Sequence, residues 1–588
     1  NGKIVFLSDD KRRRGGKLDY QQYVEKIGGA LELAEPSGAT GAGKGGLMWT
    51  HPDSTITNRS RLIYALNNIV YMYDIVNGVN YELRDIGTID SGTISFLSGV
   101  QDKKVGSIVI GDSTLSETQY HYTGTTSGSI SAFSDYSGTV AGTVKVTDAA
   151  HGMQTGNTVV IVGTSNYNGT YEITKVDADN FYIVATWAGD DATGTWTGET
   201  LTKVTATAQN AGRIIGILDN RAVVSGTGDN SDEGQYSELE TDGVYDVFTA
   251  DVNPDDAGVL SGIKSEIVAM HNFKGVGFMF ERDRISPHVI RNYDVSGTGR
   301  LKDTQTIVQE QVIDATGVES PKAVTSDDDF MYFVNRKGIY AWSPGDGLKE
   351  LTKGYRSLMK SFVFTDASIA INRETNELVV TCATNDGIGQ DMNLIYSLDG
   401  KSLSFAPNRF YNQLFWDKIG KKMYALGSTT PKLLEVYRED SYEDEDNQKI
   451  ILKAETRMYD MNQKFMEKSF CELSCSVGGV VDTQEFLFEI FIEEQDDPIA
   501  TFTRSLSDII SLTGGGGDAF GVEAKGAGLP GEPSDLTFVS VRWNGFVPHF
   551  GKMSLRITES SPYRSAIYQP EIRWKQTNTK LNSFTSTS

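Results

Sequence analysis

The sequence predicts an all-β chain of short strands joined by tight turns and repeated in units of roughly 40 residues. Three observations predict it. The 588 residues include 61 glycines but only 14 prolines. Tyr and Phe contribute 26 residues each, and aromatic and β-branched residues suit a pleated, half-buried surface. Apolar runs are short and end in Asn-, Asp- and Gly-bearing turns. Hydrophobic residues make up 39% and charged residues 22%, as in a folded globular protein. The chain is too long for one core, so about two to four structural units are expected.

The elements follow in order. Residues 1–47 are polar and Gly-rich and read as an N-terminal arm. Lys11, Arg12, Arg13 and Arg14 form the one dense basic cluster. They are a candidate contact to an acidic neighbouring subunit or to a nucleic acid, with a solvated turn as the plainer reading. From about residue 55, "RLIYALNNIVYMYDIVNGVNYELRDIG" reads as strand, polar turn, strand, turn at Asn77-Gly78, strand. Asn-Gly suits a type I′ hairpin because both positions accept positive φ. The same grammar recurs in "DDFMYFVNRKGIYAWSPGDGLKELT" and "ASIAINRETNELVVTCATND". Units of this size match four-stranded propeller blades, six or seven in number, over 48–140 and 204–440. Radial stacking would bury faces that one such sheet cannot bury alone.

Residues 141–203 interrupt the repeat with a compact β stretch, read as a small barrel inserted in a loop. After about 440 the pattern shifts again. "EDSYEDEDNQ" is an acidic bridge, "FLFEIFIEEQ" alternates strongly, and residues 441–588 read as a β-sandwich-like end. Gly514, Gly515, Gly516, Gly517 and Asp518 lie in a Gly-rich loop, 513–532, read as a candidate gate or latch, or else as a plain surface loop. The short segments "GYRSLMKSF" and "YDMNQKFMEKSF" are the best helix candidates.

Charge excludes some functions. The net charge is −24, and neutralising DNA phosphates needs Lys and Arg clusters instead. No apolar run reaches the ~18 residues of a membrane span. Cys382, Cys471 and Cys475 form no disulfide framework, and C-x-x-x-C without a second pair is no zinc site. The six histidines never fall in an H-E-x-x-H frame, and no G-x-S-x-G elbow occurs. "GATGAGKGG" lacks the spacing of a phosphate loop. Asp327–Asp329 and Glu443–Asp446 could offer oxygens to Ca²⁺ but lack the turned loop of a dedicated site. No enzyme activity, cofactor or metal is therefore expected. The segment "DNSDEGQYSELETDG" at 229–243 carries Asp229, Asp232, Glu233, Glu238, Glu240 and Asp242. It reads as an acidic loop that would line a channel and repel DNA, or as an ordinary loop between blades.

Three stretches carry a family resemblance: "NRSRLIYALNNIVYMYDIVNG", "GRIIGILDNRAVVSGTGDNSDEGQYSELETDGVYDVFTAD" and "DDFMYFVNRKGIYAW". Over roughly 55–440 the chain resembles the propeller tail nozzle, or DNA stabilisation, proteins of short-tailed phages. The inserted segment "HGMQTGNTVVIVGTSNYNGTYEITKVDADNFYI" resembles a small β-barrel module of phage structural proteins. That module is related to the first catalytic-cysteine half-domain of ubiquitin-activating enzymes, but no catalytic Cys lies here. The resemblance implies a virion tail subunit, a hexameric ring, and contacts to a tail adaptor and to fibre, spike or needle proteins. Double-stranded DNA would pass through the lumen. The alternative is a propeller that binds or cleaves cell-surface carbohydrate.

Overall fold

Burial distinguishes two kinds of strand. Ser60–Leu66 and Met331–Asn335 are buried at every position, which requires cover on both faces. Glu485–Ile492 instead buries Phe486, Phe488 and Ile490 while Leu487 and Glu489 stay half-exposed, the period of a sheet with one open face. The computed structural model describes residues 2–6, 23–25, 29–50, 60–86, 95–101, 106–111, 119–203, 212–237, 258–292, 305–438, 443, 449, 452–456, 468–492, 497–505, 537–543 and 553–576, with short gaps inside these ranges.

Strands of the first kind, with partly exposed outer strands beside them, build seven groups of four antiparallel strands among the described residues; the second group continues into the insertion as one nine-stranded sheet, and the fourth carries a short fifth strand, Ile313–Asp314. Sheet I holds Gly43–Thr50, Ser60–Leu66, Ile69–Asp74 and Val79–Asp85. Sheet II holds Ser95–Gln101, Gly106–Gly111, Gln119–Ser129 and Thr195–Lys203. Sheet III holds Ile214–Leu218, Arg221–Thr227, Asn230–Tyr236 and Gly258–Val259. Sheet IV holds Ala269–Phe273, Val276–Phe280, Arg284–Asn292 and Gln305–Gln309. Sheet V holds Val324–Ser326, Met331–Asn335, Gly338–Ser343 and Gly347–Glu350. Sheet VI holds Phe362–Asn372, Glu377–Thr384, Met392–Ser397 and Ser402–Pro407. Sheet VII holds Tyr411–Asp417, Lys422–Gly427 and Leu433–Arg438, and its fourth strand is Gly29–Glu32 from the other end of the chain.

The first strand of each sheet contacts the first strand of the next, and that of sheet VII returns to that of sheet I. The packing follows the same circle. One apolar cluster joins sheets IV, V and VI, and another joins sheets VII and I through Leu62, Tyr64, Phe415 and Tyr424. The fold is a β-propeller. Its turns follow local rules. Asn67 and the Lys274-Gly275 pair take positive φ in two-residue hairpins. Asn335, Asn372 and Asp417 each accept a backbone N–H two residues on, fixing the chain reversals.

Four sequence expectations need correction. Residues 1–47 are no simple arm. Gly2–Phe6 pairs in parallel with Leu452–Thr456, Tyr23–Glu25 pairs with Ser565–Gln576, Gly29–Glu32 closes sheet VII, and Gly43–Thr50 opens sheet I. Backbone pairing, which a polar Gly-rich sequence does not announce, decides this. The acidic segment is not a loop throughout: Asn230–Tyr236 is the third strand of sheet III, paired with Arg221–Thr227. The candidate helix 459–470 ends in a strand that starts at Lys468, and its earlier part lies outside the described residues. The other candidate does form a turn of 3₁₀ helix, Lys353–Tyr355, and one short α-helix, Arg356–Met359.

The insertion joins the third and fourth strands of sheet II. It contains Ala132–Asp135, Thr143–Thr147, Thr158–Val162, Gly169–Lys175 and Asn180–Val184, so its strands begin before residue 141. Thr195–Lys203, assigned to it from sequence, also serves as the fourth strand of sheet II. Its core is its own: Phe133, Val146, Ile161, Ile173, Phe181 and Trp196 are almost fully buried. His151 packs edge-on against Phe181 at 5.2 Å, and Trp196 Nε1 donates to Asp148 Oδ2 at 2.7 Å.

The C-terminal region forms a five-stranded and a four-stranded sheet, between which the chain passes repeatedly, in a sandwich-like manner. Each takes one N-terminal strand, Gly2–Phe6 in the first and Tyr23–Glu25 in the second. No helix among the described residues is long and apolar enough to cross a membrane.

Candidate functional site

An antiparallel meander puts alternate connections at opposite ends. Connections between strands one and two, and three and four, share one end of the ring. Those between two and three, and between sheets, share the other. The insertion occupies the first end. The described cavity lies at the second, between sheets V and VI.

The cavity measures about 640 Å³. Arg336 and Lys337 enter it from the turn between the second and third strands of sheet V. That turn is fixed from inside: Asn335 Oδ1 accepts the Lys337 N–H at 2.8 Å, and its amide donates to the Gly317 carbonyl at 2.7 Å. Arg356 and Lys360 enter from the helical connection to sheet VI, and Phe362 and Val363 from the start of that sheet's first strand. Glu319 is the acidic group on the wall. Arg336 lies 3.4 Å from Glu319 and stays largely exposed. Arg356 pairs bidentately with Glu350, its Nε donating to Oε1 at 2.6 Å. Hydrogen bonding to Glu350 raises the Arg356 pKa. Lys337 Nζ donates to the Ala315 carbonyl at 2.6 Å. Four cations thus converge on one cavity in a chain of net charge −24.

Two further polar clusters hold the architecture. Near the hub, Lys322 Nζ donates to Asn412 Oδ1, and Asn412 donates to the Gly43 carbonyl. Gln413 both accepts from Gly46 N at 3.0 Å and donates to Gly46 O at 3.2 Å. These bonds cross from sheet V to VII and from VII to I. Burial above all pulls the Lys322 pKa down to about 8. At the junction of sheet I with the insertion, Glu82 N donates to Thr158 Oγ1 at 2.7 Å, and Asn157 donates to the Leu83 carbonyl at 3.0 Å. Glu172 is paired directly opposite Thr158, so it shares the face turned to Glu82. Burial, then Glu172 and Asp85, push the Glu82 pKa up to about 7.

The sequence-predicted site residues fare unevenly. Asp232 and Glu233 lie on the third strand of sheet III. Asp229, Glu238, Glu240 and Asp242 lie outside the described residues, as do Gly514, Gly515, Gly516, Gly517 and Asp518, and Lys11, Arg12, Arg13 and Arg14. Asp327 works as a turn cap: its Oδ1 accepts from Asp329 N and Phe330 N, each at 2.7 Å. Among the described residues no three His, Cys, Asp or Glu side chains gather as metal ligands would. Sequence reasoning missed the cationic cavity. Its one legible signal was the run of Arg336, Lys337, Lys353, Arg356 and Lys360 in an acidic chain.

No family model matches the chain, and no curated protein matches it. Among solved structures, a chain of the Mitotic Checkpoint Complex aligns with 72% of this chain and 99% of its own length, at 10% identity and TM-score 0.33. The extracellular domain of a one-component system from B. thetaiotaomicron aligns with 72% of this chain and 41% of its own, at 10% identity and TM-score 0.31. Likenesses of this size say nothing about function.

Proposed function

We propose that this chain is a structural subunit of a phage tail nozzle, which extends the DNA channel below the portal and adaptor. It would hold the packaged genome back and release it at infection. The observation that carries this reading is the path of the N-terminal segment. Residues 2–50 supply a strand to both C-terminal sheets, to the closing sheet and to the first sheet of the ring. Such stapling suits a part that bears load. The resemblance of residues 55–440 to the nozzle family supports it independently, and the net charge of −24 suits a wall that DNA must pass without adhering. The partners would be five further copies in a closed ring, the tail adaptor, and fibre, spike or needle proteins, in a virion assembled in the host cytoplasm.

Native mass spectrometry of the purified protein, alone and with the portal–adaptor complex, tests the reading. A six-fold ring, free or formed only on the adaptor, is expected. A monomer that ignores the adaptor at every concentration would sink it.

A further inference from the structure

We propose that the cavity between sheets V and VI binds a small acidic sugar, one carrying a carboxylate or a phosphate. The proposal stands apart from the nozzle reading and does not depend on it.

Arg336, Lys337, Arg356 and Lys360 face the cavity against Glu319, with Glu350 behind. Two carboxylates do not balance four cations. The side chain of Lys360 makes no ion pair or hydrogen bond among the described residues, its backbone N–H alone donating to Leu358, so its ammonium is available. Arg336 is loosely held, 3.4 Å from Glu319 and three-quarters exposed. It can turn to an incoming anion at small cost. Fork-shaped guanidinium and point-like ammonium groups together suit carboxylate and phosphate oxygens.

Size and wall chemistry narrow the class. A volume of about 640 Å³ lies within the ~300–1,000 Å³ of small-molecule sites. Phe362 and Val363 give the cavity an apolar side on which the C–H face of a ring can rest. Glu319 supplies an acceptor, which a bare inorganic anion would not use but hydroxyl donors would. The site is also preorganised. Asn335 fixes the turn that bears Arg336 and Lys337, and Glu350 fixes Arg356 from behind.

Isothermal titration of the full chain at low salt tests this, with glucuronate, glucose 6-phosphate, glucose and inorganic phosphate as probes. Saturable binding of glucuronate, glucose 6-phosphate or both, tighter than glucose and inorganic phosphate, is expected. Glucuronate alone would assign a carboxylated sugar, and glucose 6-phosphate alone a phosphorylated one. Lys360→Ala and Arg336→Ala, both at exposed side chains, should each weaken binding by roughly tenfold, while Lys422→Ala on sheet VII leaves it unchanged. The proposal is overturned if neither acidic sugar binds, or if glucose or inorganic phosphate binds as tightly. Unchanged affinity in both cavity variants would overturn it as well.

Discussion

Gln413 shows how much a single side chain contributes to closing the ring. Its amide both donates to and accepts from the backbone of Gly46, so one residue of sheet VII locks the first strand of sheet I. Gln413→Leu leaves both Gly46 groups unpaired and should cost about 1–3 kcal/mol, read as a lower urea midpoint with an unchanged slope. Gly46 itself cannot be replaced: a Cβ there would sit 2.7 Å from the Ile63 carbonyl oxygen and 3.0 Å from Phe415. Glu82 makes a different prediction. An acid whose folded pKa exceeds its unfolded value keeps its proton longer in the folded state. Its stabilising contribution is complete below about 4.5 and is lost as pH rises through about 7. Above that, Glu82 and Glu172 repel each other across the junction. Glu82→Gln should therefore flatten the fall in unfolding midpoint across this window, and should stabilise the protein on its alkaline side. An identical pH profile in variant and parent would rule the junction out as the cause. Neither residue was marked by the sequence, because a glutamine or glutamate in a strand looks the same whether it faces solvent or another sheet.

At the scale of elements, the insertion is the most separable part. Its buried core is supplied entirely by residues between Ile130 and Trp196. Ser129 and Thr195 stand directly opposite each other in the ladder of sheet II. Replacing 130–194 by Asn-Gly should therefore give a tight hairpin and a folded propeller, with circular dichroism and a cooperative melt as the check. A protein that no longer melts cooperatively would mean that the insertion is part of the ring's core. The opposite holds for Gly29–Glu32. Removing it exposes the edge of Leu433–Arg438 and uncovers Leu434 and Val436, so soluble monomer should fall sharply on gel filtration. Much of the ring was legible in sequence. The turns at Asn335–Gly338 and Asn372–Asn376 join strands where expected, because Asx residues and glycines act locally. The strand Asn230–Tyr236 was not legible. "NSDEGQY" has no apolar period, and its extended form comes from pairing with Arg221–Thr227 on its inner side. The glycines of "GKGGLMWT" hid the first strand of sheet I for the same reason.

For the whole molecule, the candidate site was the least legible feature. Arg336 and Lys360 are separated in sequence by sheet V's outer strands and a helical turn, and only the stacking of sheet VI on sheet V brings them to one cavity. Composition could give the net charge but not where the exceptions to it gather.

The threaded N-terminal segment also has a consequence for synthesis. Gly29–Glu32 leaves the ribosome early, yet its partner, Leu433–Arg438, is made some four hundred residues later, and the partner of Tyr23–Glu25 later still. Until then, sheet VII lacks its fourth strand and the C-terminal sheets lack an edge. These early strands must wait for partners made much later, so closing the sheets is a long-range step that is slow and leaves strand edges open to other chains. Expression yield should therefore depend more on chaperone supply and growth temperature than on the stability of the finished ring.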